Sequence, residues 1–337
     1  MTPSSPLKFL MPGWFSMVMG LSGLSLAWHR ASGVLGEMAD GIALVVGALA
    51  ALVFVLLLVA SFVRASRYPA ALADDLKHPV RHAFVAALPV STLLLAAVGV
   101  ALLGAHPLLH ALWWVGALTQ VWATVWVLGR WLSPVIGTTP GNTGLWPAVT
   151  PVLLIPVVGN VVAPLAGLPL GHDVWSAAQM GIGVFFWPIV MGLVLVRRIA
   201  HSPLPDRILP AWFITLAPPA VIGVVLTQFE APAALPLGMW GIAVFTLMWL
   251  TPLVRRIASQ PFGVAFWGLS FPMASLAALT LRLGELQGGG ALQTVGVLLL
   301  AVASMVILWL GFATVRGLRD GTLLAPEPIA SIQPVAA

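Results

Sequence analysis

Cysteine is absent from this chain, tyrosine occurs once, and charged residues make up only 7% of its 337 positions. The missing cysteine excludes disulfides, thiolate metal sites and thiol nucleophiles. The shortage of charge excludes a water-facing globular surface, since soluble domains carry about 25% charged residues. No Asp, Glu, Lys, Arg or His lies near the middle of any long apolar run. Ionisable groups at such depth are the usual mark of proton relays and charged binding sites in membranes. Their absence argues against a proton-coupled carrier with a buried carboxylate and against a membrane enzyme with an acidic metal motif. Gly-rich phosphate loops, Ser-His-Asp arrangements and aromatic-basic nucleic-acid surfaces are also missing. The expectation is no enzyme, no cofactor, no metal and no nucleic-acid partner.

Apolar residues supply 60% of the chain, and the mean hydropathy is +1.04. Apolar runs long enough to cross a bilayer core of about 30 Å recur from end to end. Ten spans are expected, near 9–29, 41–63, 83–104, 108–129, 144–166, 174–196, 208–229, 234–254, 262–283 and 292–315. Pro12 interrupts the first run, so that span reads as an insertion signal and not as a cleaved leader. Of the basic residues, only Arg30 and Arg282 fall on one side of the spans. The other side holds Lys8, Arg64, Arg67, Lys77, Arg81, Arg130, Arg197, Arg198, Arg207, Arg255, Arg256, Arg316 and Arg319. The positive-inside rule then places both termini in the cytoplasm. It also accounts for the net charge of +5 and the basic clusters at 197–198 and 255–256. Residues 1–317 read as one transmembrane domain. Residues 318–337, with three prolines and little periodicity, read as a disordered cytoplasmic tail.

Prolines sort the spans into two classes. Each odd span holds one, at Pro12, Pro89, Pro156, Pro218 and Pro272, whereas among even spans only Pro188 is clearly internal. Proline removes a backbone donor, and a break at membrane depth survives only where protein or a water-filled cavity satisfies the backbone. The odd spans are therefore expected to line a pathway and the even ones to wrap it. Proline is also commoner in membrane helices generally, which is the plainer explanation of the same residues. Pairing each odd span with the next gives five helical hairpins of one orientation. They form an all-α membrane protein arranged around a central pore with a quasi-symmetry axis along the membrane normal. Pro12 marks its repeat least well, and Gly20 and Gly23 are candidates for the bend there.

The residues preceding the prolines are Met11, Leu88, Ile155, Ala217 and Phe271, all apolar. Meeting at one level, they would form a hydrophobic constriction that gates by excluding water. Phe271 is the largest of them. By position alone it is either that gate or a packing residue like others among the 14 phenylalanines. Hydroxyls at Ser91, Thr92, Thr150 and Thr215, with the freed N–H groups, are candidate donors to a passing anion. His78 with His82 and His106 with His110 have the i, i+4 spacing of zinc ligands. Both pairs sit at span ends without a third ligand type nearby, and they read as interfacial histidines.

Three stretches resemble a known family: PGWFSMVMGLSGLSLAW at 12–28, WFITLAPPA at 212–220 and FWGLSFPMAS at 266–275. The chain is similar over about residues 7–317 to the family of bacterial tellurite-resistance membrane proteins, dicarboxylate transporters and plant slow anion channels. The resemblance implies ten helices in five quasi-symmetric hairpins, proline-bent odd helices around the pore, and a homotrimer with one pore per subunit. It implies a pore occluded by a phenylalanine of the ninth helix, here Phe271, and selection among anions by dehydration cost. It also implies a place in the bacterial inner membrane.

Together these readings lead to a gated channel for small monovalent inorganic anions such as chloride or nitrate. The alternative is a carrier for C4-dicarboxylates or tellurite, proton-coupled or not. A membrane-embedded enzyme or sensor is the third class, and no catalytic constellation supports it.

Overall fold

The computed structural model describes residues 6–132, 146–200 and 203–325. Every regular element among them is helical. The longer segments are α1 (Ser16–Arg30), α2 (Glu37–Arg67), α3 (Arg81–Leu103), α4 (Pro107–Leu132), α5 (Pro151–Gly167), α6 (Asp173–Ala200), α7 (Asp206–Gln228), α8 (Ala234–Leu250), α9 (Val264–Leu286) and α10 (Ala291–Arg319). Seven of them are long and apolar enough to cross a membrane; α1, α5 and α8 are shorter. The chain is an all-α membrane protein.

Burial divides the helices by number. Of the most apolar 18 residues in α7, 89% are buried, and in α9 72%, against 22% in both α2 and α6. The even helices show the difference directly, with Leu52, Leu56, Phe62, Phe185, Leu308 and Phe312 exposed. Such surfaces are stable only against lipid or another apolar partner. Among the odd helices, α1 packs on α3, α3 on α5, α5 on α7, α7 on α9, and α9 returns to α1. Each also packs on the even helix that follows it in sequence.

Proline shapes the odd helices differently from the simple break expected of it. Each begins as a tight 3-10 helix and then relaxes to α geometry. The 3-10 parts are Pro12–Phe15 before α1, Arg81–Ala86 in α3, Pro151–Leu153 in α5, Asp206–Leu216 in α7 and Val264–Leu269 in α9. The α-helical parts then start at Ala87, Leu154, Ala217 and Ser270, so Pro89, Pro156, Pro218 and Pro272 fall in their first turns. There the fixed φ already suits a helix, and the missing N–H interrupts the hydrogen-bond ladder at the junction between 3-10 and α geometry. These prolines mark the start of the α-helical part. Pro12 instead opens its 3-10 turn, and the α geometry of α1 begins four residues later at Ser16.

Two further expectations change. The helix α1 runs on through Gly20 and Gly23, and those glycines serve close approach to α9, not a bend. The boundary expected at residue 317 falls inside α10, which continues to Arg319. Leu323 then folds back, buried, with its N–H donated to the Gly317 carbonyl at 3.1 Å. The part of the expected disordered tail from residue 326 onward lies outside the described residues.

Candidate functional site

A cavity of about 1050 Å³ lies among the first halves of the odd helices. Its mouth is charged and its floor is not. Lys8, Arg64, Arg81 and Arg207 line the mouth together with Asp74, Asp75 and Asp206. The last lining residue along each odd helix is Met19 on α1, Val90 on α3, Val162 on α5 and Val221 on α7, with Phe271 and Pro272 on α9. All of these are apolar, so the lining changes from charged at one end to a surface that offers an ion no replacement for its water at the other.

The structure brings Met11, Ile155, Ala217, Pro218, Phe271 and Pro272 to this cavity. Pro12, Leu88, Pro89 and Pro156 do not line it. The residues preceding the prolines do not share one level either. Met11 precedes the 3-10 turn of α1, whereas Phe271 packs at Gly23, about three turns further along. A β-carbon at Gly23 would stand 2.8 Å from Phe271 Cδ2, and one at Gly20 would overlap Ser270 and crowd Trp267. The two glycines let the backbone of α1 approach α9, a common use of small residues between membrane helices. Phe271, 8% exposed, thus has its ring seated on α1 while it borders the cavity.

The candidate hydroxyls are already engaged or lie elsewhere. Ser91 Oγ donates to the Phe15 carbonyl at 3.0 Å, Thr92 to Leu88 at 3.0 Å and Thr215 to Trp212 at 2.7 Å. None of these three, nor Thr150, lines the cavity.

At the mouth, one carboxylate organises the charge. Asp75 accepts from Arg64 at 2.6 Å on one oxygen and from Arg81 at 3.1 Å on the other. Arg64 also donates to the carbonyls of Lys8 at 3.0 Å and Ala71 at 3.3 Å. It therefore clamps the start of the chain, the end of α2 and the short helix Pro69–Lys77 together. Across the mouth Asp206 pairs with Arg256 at 2.5 Å. Lys8 and Arg207 add positive charge beside these pairs.

The most irregular wall is α5, which alternates 3-10 and α geometry over Pro151–Gly167. Its loosened backbone is satisfied by amide and hydroxyl groups from the even helices on its outer side. Gln120 of α4 donates to the carbonyls of Ile155 at 3.3 Å and Pro156 at 3.0 Å, and Thr124 donates to Pro156 at 2.6 Å. Asn160 donates to Thr124 Oγ1 at 2.8 Å and accepts from Gln179 of α6 at 3.0 Å. Trp175 closes the chain by donating to Gln179 Oε1 at 2.9 Å. Buried carbonyls need such partners where water is excluded. These amides carry no charge, so a pattern of ionisable groups in the spans does not reveal them. Gln120, Asn160 and Gln179 were visible as isolated amides in apolar runs.

The histidines hold no metal cluster: among the described residues no three His, Cys, Asp or Glu side chains gather. His78 Nδ1 accepts the N–H groups of Val80 and Arg81 at 3.1 Å each. His110 Nδ1 lies 2.9 Å from His172 Nε2, a partner far away in sequence.

The sequence pattern of the family described as voltage-dependent anion channel (SLAC1) matches residues 10–315. Curated relatives are distant in identity. A tellurite resistance protein TehA homolog of Haemophilus influenzae is 25% identical over 92% of this chain and 91% of its own length. The S-type anion channel SLAH2 of Arabidopsis thaliana is 23% identical over 69% of this chain, a match that spans only 44% of the plant protein. An uncharacterized transporter of Methanocaldococcus jannaschii is 27% identical over 81% of this chain and 83% of its own length.

Proposed function

The chain belongs to the voltage-dependent anion channel family, and from that premise we propose that it is a gated channel for small monovalent anions such as chloride and nitrate. One observation carries the reading: a cavity among the odd helices opens at a charged mouth and ends at an apolar floor that includes Phe271. A wide vestibule holds hydrated ions. A narrow apolar constriction stops them by dewetting, and conduction requires that no site hold the ion tightly. The neutral spans suit such weak passage.

In this reading the five sequential hairpins form a ring, with the odd helices around the pore and Phe271 as its gate. Residues 1–317, extended by the end of α10 and the buried Leu323, form one transmembrane channel domain, and the protein sits in a bacterial inner membrane with both termini cytoplasmic. The exposed apolar faces of the even helices meet lipid and the neighbouring subunits of a homotrimer. No catalytic step is assigned.

The test is anion current through the Phe271→Ala variant in voltage clamp. It should exceed the parent's at equal surface expression; a correctly inserted variant that conducts no better removes Phe271 from the gate. The second reading, a carrier for dicarboxylates or tellurium oxyanions, draws on the printed name of the Haemophilus influenzae relative. Saturable malate uptake driven by a pH gradient, without electrical conductance, would select it.

A further inference from the structure

Among the described residues only two arginines, and no lysine, lie at the end of the molecule opposite the cavity mouth, Arg30 at the close of α1 and Arg282 near the close of α9. Topology gives them no reason to be there, because basic residues on that side work against the positive-inside rule. Their placement on the helices is equivalent. Arg30 follows Met19 by eleven residues, and Arg282 follows Phe271 by eleven. Eleven residues are close to three α-helical turns, with an offset of about 20° and a rise of about 16 Å. Each arginine therefore crowns the same helix face that presents a floor residue to the cavity. Between them on those faces, Leu26 and Ala278 are partly open although their chain neighbours Ser25, Ala27, Ala277 and Leu279 are buried.

The two guanidiniums meet over one carboxylate. Arg282 Nη1 lies 2.9 Å from Glu285 Oε2, and Arg30 Nη1 lies 3.5 Å from the same oxygen. One negative charge against two leaves an excess positive charge. The Arg30 contact is at the outer limit of a hydrogen bond, with Glu285 half exposed. Guanidinium donors not taken by Glu285 are suited to an anion.

We propose that Arg30 and Arg282 form a weak binding site for a small monovalent anion at the far end of the pathway, with Glu285 as its resident competitor. The proposal rests on the anion-channel reading above for its place in transport, but anion binding can be measured apart from conduction. A site that combines excess charge with a competing carboxylate would gather anions without trapping them, as a conducting pathway requires.

The test is chloride-35 NMR line broadening by the purified full-length protein. The parent should broaden the line more than the Arg30→Gln/Arg282→Gln variant, which should lose that excess. Glu285→Gln should broaden it more than the parent, and Arg30→Lys/Arg282→Lys should retain the excess. Opposite signs for the arginine and glutamate changes distinguish the site from a structural clamp between α1 and α9, which all of these neutralisations would loosen alike. Equal broadening by the parent and the double glutamine variant, or a loss in Glu285→Gln, would overturn the proposal. Thermal melting identifies any variant that fails to fold, and the charge-retaining lysine pair then decides. Absence of current through Phe271→Ala would count against the channel reading alone, since line broadening needs no conduction.

Discussion

Phe271 of α9 lies against Gly23 of α1, where even a methyl group would come within 2.8 Å of its ring. The seat and the ring therefore act as one unit. In Gly23→Ala the new methyl pushes the ring away from α1, toward the cavity that it borders. The expected outcome in voltage clamp is a smaller anion current than the parent's. In the Phe271→Ala background the same substitution should change little, because contacting residues are coupled in a double-mutant cycle. Gly33→Ala, with nothing within 4 Å of the added carbon, is the control. Independent effects of the two substitutions would separate the seat from the gate.

The amide chain behind α5 is expected to act as a unit too. Asn160→Ala or Gln179→Leu each leaves buried partners unsatisfied, at about 1–3 kcal/mol. The double variant should cost less than the sum, since both changes cut the same bond. Melting of the four proteins in one detergent measures this. Strict additivity would mean that the two side chains support α5 separately.

At the cavity mouth, Arg64 and Asp75 are 5% and 3% exposed in their side chains. Removing one partner strands a buried charge, so Arg64→Gln and Asp75→Asn should each destabilise by about 3–5 kcal/mol. Replacing both by apolar residues, Arg64→Met with Asp75→Leu, should be milder than either single change, although Arg81 then also loses its contact with Asp75. A double variant less stable than both singles would show that the bridge from Arg81 dominates.

The His110–His172 contact gives the protein a pH dependence with a defined sign. His172 stacks on Trp113 at 4.5 Å, and its pKa is lowered by burial first and by His110 second. The folded state then binds fewer protons here than the unfolded chain does. The stabilisation is present above the ordinary histidine value of about 6.5 and is lost as pH falls through and below it. Melting temperature should drop between pH 8 and pH 5, and His172→Gln should flatten that slope. An unchanged slope would place the acid-sensitive group elsewhere.

The sequence made the helical class, the proline alternation and the separation of charge legible, because hydropathy and basic residues act locally. The floor of the cavity was less legible. Met19, Val90, Val162 and Val221 follow their prolines by seven, one, six and three residues. No fixed register connects them, since each helix changes from 3-10 to α geometry at its own point. Pro12 misled most, because it opens a 3-10 turn where the other four enter an α-helix. Gly20 and Gly23 were noticed as possible bends, and their true partner, α9, lies some 250 residues away in the chain. The pairing of Arg30 with Glu285 was hidden for the same reason.

The 3-10 segments of the odd helices have a geometric consequence. Three residues per turn wind a slimmer rod than 3.6, and each residue advances about 2.0 Å instead of 1.5 Å. The eleven residues of Asp206–Leu216 thus reach about 22 Å where an α-helix would reach about 16 Å. Five thin staves enclose more space than five thick ones standing on the same circle. The cavity lies beside these thinner segments, and its apolar lining runs on to where the helices have turned to α geometry.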